Sequence, residues 1–150
     1  MRHRKAGFKL GRLTAHRWAL FRNLLVALFR HDRITTTVSK AKAVRGLADH
    51  MVTLAKRDNL HARRQAAAFL ETPAAVKKLF DKLGTRFGQR NGGYTRVVRL
   101  GWRRGDGAEQ AMVELVGSEL VKRAAERAKR REERLKAMQQ GKQEGEEPEE

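Results

Sequence analysis

Only His31 and Asp32 stand between a stretch with helical periodicity and a stretch that alternates like a strand. Upstream of them, Trp18, Leu20, Phe21, Leu24, Leu25, Leu28 and Phe29 share one broad arc of a helical wheel, with Arg22, Asn23 and Arg30 opposite. Downstream, residues 33–38 read RITTTV. The β-branched side chains favour extended backbone, with Ile34, Thr36 and Val38 on one side and Thr35 and Thr37 on the other. Thr14 is placed to cap the first helix, and Ser39 to cap a second one. In that second helix Ala41, Val44, Ala48, Met51 and Ala55 form a stripe, widened by Leu47 and Val52. Helix, short strand and helix over residues 14–55 are the unit to which the rest of the chain attaches.

The remaining periodicities predict two more helices and two more strands. With helices near 15–30 and 40–56 from the first unit, a third spans 59–70. Asp58 or Asn59 caps it, Leu60, Ala67, Phe69 and Leu70 form its apolar face, and Arg63 and Arg64 lie on the other side. A fourth spans 73–83, with Thr72 at the cap and Pro73 in the first helical position. Its apolar positions are Val76, Leu79, Phe80 and Leu83; Gly84 stops it, and Lys77, Lys78 and Lys82 point outward. Strands are predicted near 33–38, 95–102 and 109–116. The last two form a hairpin around the turn RRGDG, with Ala111, Val113 and Leu115 on one face, and one or both pair with the first strand. The expected fold is α+β, a two-layer domain of helix, strand, three helices and two strands, its small sheet packed on the helices. Residues 1–13 read as an extended basic arm, 14–116 as the domain, and 117–150 as a charged helical segment followed by an acidic disordered tail.

Charge narrows the function. The formal net charge is +17, and residues 1–116 account for all of it, with 25 basic and 8 acidic residues; residues 117–150 carry nine of each. Such a body repels itself until a polyanion neutralises it. Nucleic acid is the first candidate partner and an anionic membrane surface the second. No apolar stretch reaches the roughly 18 residues that a spanning helix needs, so membrane insertion is not expected. No signal peptide is read at the N-terminus, and the chain is expected to be soluble or part of a soluble particle. Cysteine is absent, which removes disulfides and thiolate metal sites. The five histidines lack ligand spacing, so no metal or other cofactor is expected. The eight acids of the body are scattered, with no paired carboxylates, no H-E-x-x-H, no G-x-S-x-G and no phosphate-binding loop. Catalysis and a small-molecule substrate are not expected.

Binding then falls to clusters of cations. In the arm these are Arg2, Arg4, Lys5, Lys9 and Arg12, which have no core to join; Phe8 among them would pack or stack locally. Arg17 and Arg22 belong to the first helix. Lys40, Lys42 and Arg45 crowd the first two turns of the second, where cations face the positive end of the helix dipole and gain nothing from it. Arg90, Arg96, Arg103 and Arg104 lie near the hairpin. The loop 85–94, with Arg86 and Arg90 around Phe87 and an Asn91-Gly92-Gly93 turn, reads as an RNA contact in preference to a plain connection. Trp18 reads as core in preference to a stacking platform. Lys77 and Lys82 read as solvent-facing. Charge alone does not separate DNA from RNA, but an extended arm, a small domain and basic loops suit irregular folded RNA better than a regular duplex.

A series of segments in this order resembles the bacterial large-subunit ribosomal protein L17 family. They are MRHRKAG at the start, HR-x-x-LFRN from His16 to Asn23, ITTTVSKAK from Ile34 to Lys42, LAKR at 54–57, HARR at 61–64 and KLFD at 78–81. RNGGYTR at 90–96, RRGDGA at 103–108 and VEL at 113–115 complete it. The resemblance is nearly collinear over residues 1–116 and does not extend to the tail. Ser39 stands where many relatives have proline, which should alter the turn slightly. The resemblance implies the same α+β order of elements. It also implies a structural constituent of the large ribosomal subunit, in the cytoplasm, that binds and stabilises folded large-subunit rRNA. The expected place is the outer side of the particle around the exit tunnel, beside other large-subunit proteins. The alternative is a free-standing nucleic-acid-binding module or ribosome assembly factor.

Overall fold

The computed structural model describes residues 7–117 together with Arg130, Arg131 and Arg134. The predicted features of residues 1–6 and of most of the C-terminal extension lie outside the described residues. The elements follow the expected order: α1 (Thr14–His31), β1 (Arg33–Thr37), α2 (Val38–Arg57), α3 (Leu60–Leu70), α4 (Pro73–Lys78), a π-helical segment (Leu79–Gly84), β2 (Thr95–Trp102) and β3 (Glu109–Leu115). The fold is α+β. Its three-stranded sheet has the order β1-β3-β2 and is antiparallel throughout, so β3, last in sequence, is the central strand.

The alternation of β3 positions the layers. Ala111, Val113 and Leu115 are fully buried and join Phe21, Leu25, Leu28 and Phe29 of α1 and Ala41, Val44, Ala48 and Val52 of α2 in one core. Opposite-facing Gln110 and Met112 remain half exposed, so the helices cover one side of the sheet. Alanines seven residues apart at 41, 48 and 55 keep the buried face of α2 flat.

Where α4 continues, the helix widens into its π segment. Leu79, Phe80, Leu83 and Gly84 are all buried there, and the wider turn lets that many neighbouring positions face the core. Gly84 does not stop the helix. Its φ is not positive, helical backbone continues through Arg86, and a Cβ at Gly84 would stand 3.0 Å from the carbonyl oxygen of Ala55. The glycine is there for close approach to α2.

Several local expectations are corrected. Thr14 is the first helical residue, with Leu13 at the cap position; its hydroxyl accepts a bond from Arg17 at 3.3 Å and caps nothing. Ser39 is inside α2, which begins at Val38 with no intervening residue after β1. The cap position falls to Thr37, whose side chain makes no capping bond. Asn59, by contrast, caps α3 by accepting from the amide of Ala62 at 2.7 Å. The buried face of α3 is Ala62, Ala66 and Leu70, while Leu60 stays 64% exposed and Ala67 is also outside. Trp18 is 40% exposed at the core's edge, packed edge-to-face on Phe21 and Phe69. Residues 8–12, read as part of an extended arm, are not extended throughout. The chain turns at Leu10 (φ 56°) and Gly11 (φ 61°), and Leu10 packs against the core.

Candidate nucleic-acid interface

Helices α1, α2 and α3 each end on an acidic residue in left-handed backbone: Asp32 (φ 63°), Asp58 (φ 41°) and Glu71 (φ 58°). A carboxylate at a helix C-terminus opposes the dipole, and each is offset by a cation. Asp58 pairs with Arg63 at 2.6 Å and Glu71 with Arg22 at 2.9 Å. Asp32 takes two, Lys78 at 2.8 Å and Arg86 at 3.0 Å. Arg86 also donates to the carbonyls of Leu115 (2.9 Å) and Val116 (2.7 Å), and the Asp32 carbonyl accepts from the Leu115 amide at 2.9 Å. The one-residue link between α1 and β1, Asp32, is therefore the point where α1, α4, the helical residues after the π segment and the end of β3 are fastened.

Two readings of the sequence change as a result. Lys78, expected outside, is half-buried in this latch. After the π segment, Arg86, still in helical backbone, faces inward and Phe87 is buried against Tyr94, their ring centroids 5.2 Å apart. That part of the loop is structural.

Acids elsewhere hold further cations. Arg96 lies 3.5 Å from the buried Glu114, Arg99 is 4.0 Å from Glu109, and Arg103 pairs with Asp106. Hydrogen bonds from Arg103 and from the Ala108 amide hold the Asp106 carboxyl down at about 2 and push the Arg103 guanidinium up. The turn RRGDG thus locks itself with a side chain that also bonds the backbone.

The predicted binding residues fall into separate places. Arg2, Arg4 and Lys5 lie outside the described residues. Lys9 is exposed. Arg12 bonds the carbonyl of Leu10, Arg17 bonds the carbonyl of Arg12, and Arg22 stands near the Phe69 ring beside Glu71, so these three help join the entry segment and α1 to the body. Arg90 bonds the carbonyls of Gly92 and Gly93, and its own carbonyl accepts from Lys56 near the C-terminus of α2. It is far from the hairpin turn that carries Arg103 and Arg104, whose flanking residues Trp102, Ala108 and Glu109 adjoin the N-terminus of α2. Twenty residues of helix span about 30 Å between these ends. Arg90 and Arg104, grouped by sequence as near the hairpin, belong to elements at opposite ends of α2.

What the fold does bring together is the start of α2 and the tip of the hairpin. Lys42 and Arg45 are exposed and Lys40 half exposed. None has an acidic partner among the described residues, and the same holds for Arg104. A shallow groove runs here between Phe8, the residues Thr37, Val38, Ser39 and Lys42, and the segment Trp102, Ala108 and Glu109. Trp102 is 71% exposed and Phe8 46%. Cations beside exposed aromatic faces offer phosphate neutralisation and base stacking together. Sequence reasoning singled out Lys42 and Arg104 but passed over Trp102. The available signal was a tryptophan preceded by glycine at a strand end and followed by two arginines.

No group of three or more His, Asp or Glu residues is placed to hold a metal among the described residues. No helix among them is long and apolar enough to cross a membrane. The profile of the family described as ribosomal protein L17 matches residues 20–116. A protein of Solibacter usitatus called large ribosomal subunit protein bL17 is 69% identical over 150 residues, the whole of both chains. Its namesake in Koribacter versatilis is 55% identical over 145 residues, 93% of this chain and 90% of its own. Another, in Acidobacterium capsulatum, is 55% identical over 119 residues, 79% of this chain and 74% of its own.

Proposed function

The chain belongs to the ribosomal protein L17 family, and from that premise we propose that it binds and stabilises folded large-subunit ribosomal RNA, on the outer side of the particle around the exit tunnel, beside neighbouring large-subunit proteins. Its role is that of a structural component of the bacterial ribosome, in the cytoplasm, and it is not an enzyme. The observation that supports RNA as the direct partner is the basic start of α2, unpaired among the described residues. Lys40, Lys42 and Arg45 sit on the first turns of α2, where the dipole disfavours them, and no acid among the described residues offsets them. A polyphosphate backbone supplies that missing charge. Lys9 and Arg104 extend the same reading around the groove, and Arg2, Arg4 and Lys5 are proposed to extend it along the N-terminal arm.

Two measurements test this. The protein should sediment with large subunits after a high-salt wash, and nucleotide-resolution crosslinks should cluster at 1–12, 40–45 and 102–104. Crosslinks confined to 73–83, or a protein found only in free fractions, would overturn the assignment; the second result would favour a free-standing nucleic-acid-binding or assembly factor. The region 117–150, proposed as an appendage to the 14–116 domain, brings no net charge. A chain ending at Gly117, which keeps the Leu115 and Val116 carbonyls that Arg86 holds, should still fold and enter the particle.

A further inference from the structure

The pairing of β2 with β3 slips by one residue near its end. Arg99 is opposite Ala111, yet Gly101 is opposite Gln110 and Trp102 opposite Glu109. Without that bulge, Trp102 would fall on the open face of the sheet, with Arg96 and Val98. The extra residue turns it to the helix-covered face, the side of Ala111 and Val113, where it meets the start of α2. A bulge is a common way to re-aim one side chain. Gly101 has φ 101°, which L side chains rarely adopt, and a Cβ there would meet nothing within 4 Å. The glycine therefore serves the backbone turn and not a close approach.

The re-aimed tryptophan is not buried by this manoeuvre. It forms one wall of the groove that Phe8, Val38, Ser39, Lys42 and Glu109 also line. An aromatic directed toward the protein and still left exposed has no packing reason for its position. The chemistry of the groove selects among partners. Aromatic surface lies beside the cation Lys42, Glu109 is already within 4.0 Å of Arg99, and the body around it carries the whole net charge of +17. A neighbouring protein would need an acidic, aromatic-binding surface; a nucleotide has both a stacking face and an anion.

We propose that Trp102, aimed by the Gly101 bulge and sharing its groove with Phe8, clamps an unpaired base of RNA while Lys42 neutralises an adjoining phosphate. This rests on the RNA-binding reading above and adds that the groove takes a single-stranded nucleotide and not duplex backbone.

The full chain with Trp18→Phe tests it, because the protein has only two tryptophans and Trp102 then reports alone. Single-stranded oligoadenylate should quench its emission, whereas inorganic polyphosphate and a duplex RNA of equal length should bind without doing so. Adding Trp102→Leu should weaken oligoadenylate binding about 5- to 100-fold and leave polyphosphate and duplex binding unchanged. Gly101→Val, which disfavours the bulge while keeping Trp102, should reduce the quenching as well, with folding checked by circular dichroism. Binding of all three polyanions with no change in Trp102 emission would overturn the clamp and leave the RNA-binding reading intact. Failure of every RNA to bind would overturn both. Emission that is silent to RNA but shifts to the blue with large-subunit proteins would assign the groove to a protein neighbour and also overturn the clamp.

Discussion

The latch around Asp32 and the basic end around Lys42 are built from the same residue types and serve opposite purposes. At the latch, Lys78 and Arg86 converge on one carboxylate and on the backbone at the end of β3. At the basic end, Lys40, Lys42, Arg45 and Arg104 meet no acid among the described residues. Acids are the scarce component, with only eight before residue 117. Six of them, Asp32, Asp58, Glu71, Asp106, Glu109 and Glu114, hold cations in the described ion pairs. Asp49 accepts from the Thr95 hydroxyl at 3.1 Å. In a chain so rich in Lys and Arg, a cation's role depends on whether the fold places an acid or a free carbonyl beside it. Those left over are the ones open to an external anion.

The largest expected effect comes from breaking the latch. Asp32→Ala removes two partly shielded pairs, the carboxylate being 18% exposed, and puts a less tolerant residue into left-handed backbone. A loss of about 3 kcal/mol is expected in denaturant titrations, near the low end for disrupting a buried pair. RNA affinity measured where the protein is still folded should be unchanged. A matching loss of affinity would mean that the latch and the interface are not separate.

Neutralising the basic end should show the reverse pattern. The triple substitution of Lys40, Lys42 and Arg45 to Gln should weaken RNA binding about 10- to 100-fold near 0.1 M salt. The slope of log K against log salt should flatten by about 2, as three phosphate contacts are lost. Its thermal midpoint should hold or rise slightly, because cations leave the positive end of the helix. A clear fall in midpoint would reveal a structural partner for one of them.

A smaller effect distinguishes the two kinds of cation within the N-terminal segment. Deleting residues 2–6 should leave the thermal midpoint unchanged and reduce incorporation into the large subunit. Deleting 2–12 should in addition cost about 1 kcal/mol of stability, because half-buried Leu10 and the bonds among Arg12, Leu10 and Arg17 go with it. Equal stability of the two deletions would return residues 8–12 to the status of a free arm.

The smallest effect is at the hairpin tip. Asp106 titrates at about 2 in the folded protein against an ordinary 3.8. A carboxyl depressed on folding lends stability that is present above the unfolded value and lost as pH falls from about 4 through about 2. The pair is exposed, so solvent screening keeps that contribution small. In Arg103→Ala, NMR titration should show Asp106 rising toward its ordinary value, with the midpoint of thermal unfolding at neutral pH barely moved.

Much of this fold was legible because its signals are local. The change of period across His31-Asp32, the alternation of β3 and the turn RRGDG placed the helices, the three strands and the hairpin close to where they are. Pro73 and Asn59 marked helix starts correctly, as these residues act on backbone within a few positions, and Thr72 holds the cap position without a side-chain bond. The misses have a common origin. Leu60 and Ala67 sit on a plausible apolar face of α3, but α1 and α2 cover the face bearing Ala62 and Ala66 instead. Gly84 has the composition of a helix stop, yet its role is set by Ala55, on another helix. The π segment leaves no periodicity that a regular helix would not also produce. Arg86 and Phe87 looked like loop residues open to a ligand, and their burial depends on Asp32, Tyr94 and the end of β3.

Element order, the apolar stripes and the sign of the charge are written in short stretches of chain, because hydrogen-bond geometry and side-chain period act over a few residues. The assignment of individual cations is not, since the partners of Lys78 and Arg86 at Asp32 lie 46 and 54 positions away. Coulomb attraction and hydrogen bonding act across a few ångströms of space, whatever the separation along the chain. Closing the fold therefore spends Arg86 and Lys78 on the latch, separates Arg90 from Arg104, and leaves Lys42 and Trp102 side by side at an open groove.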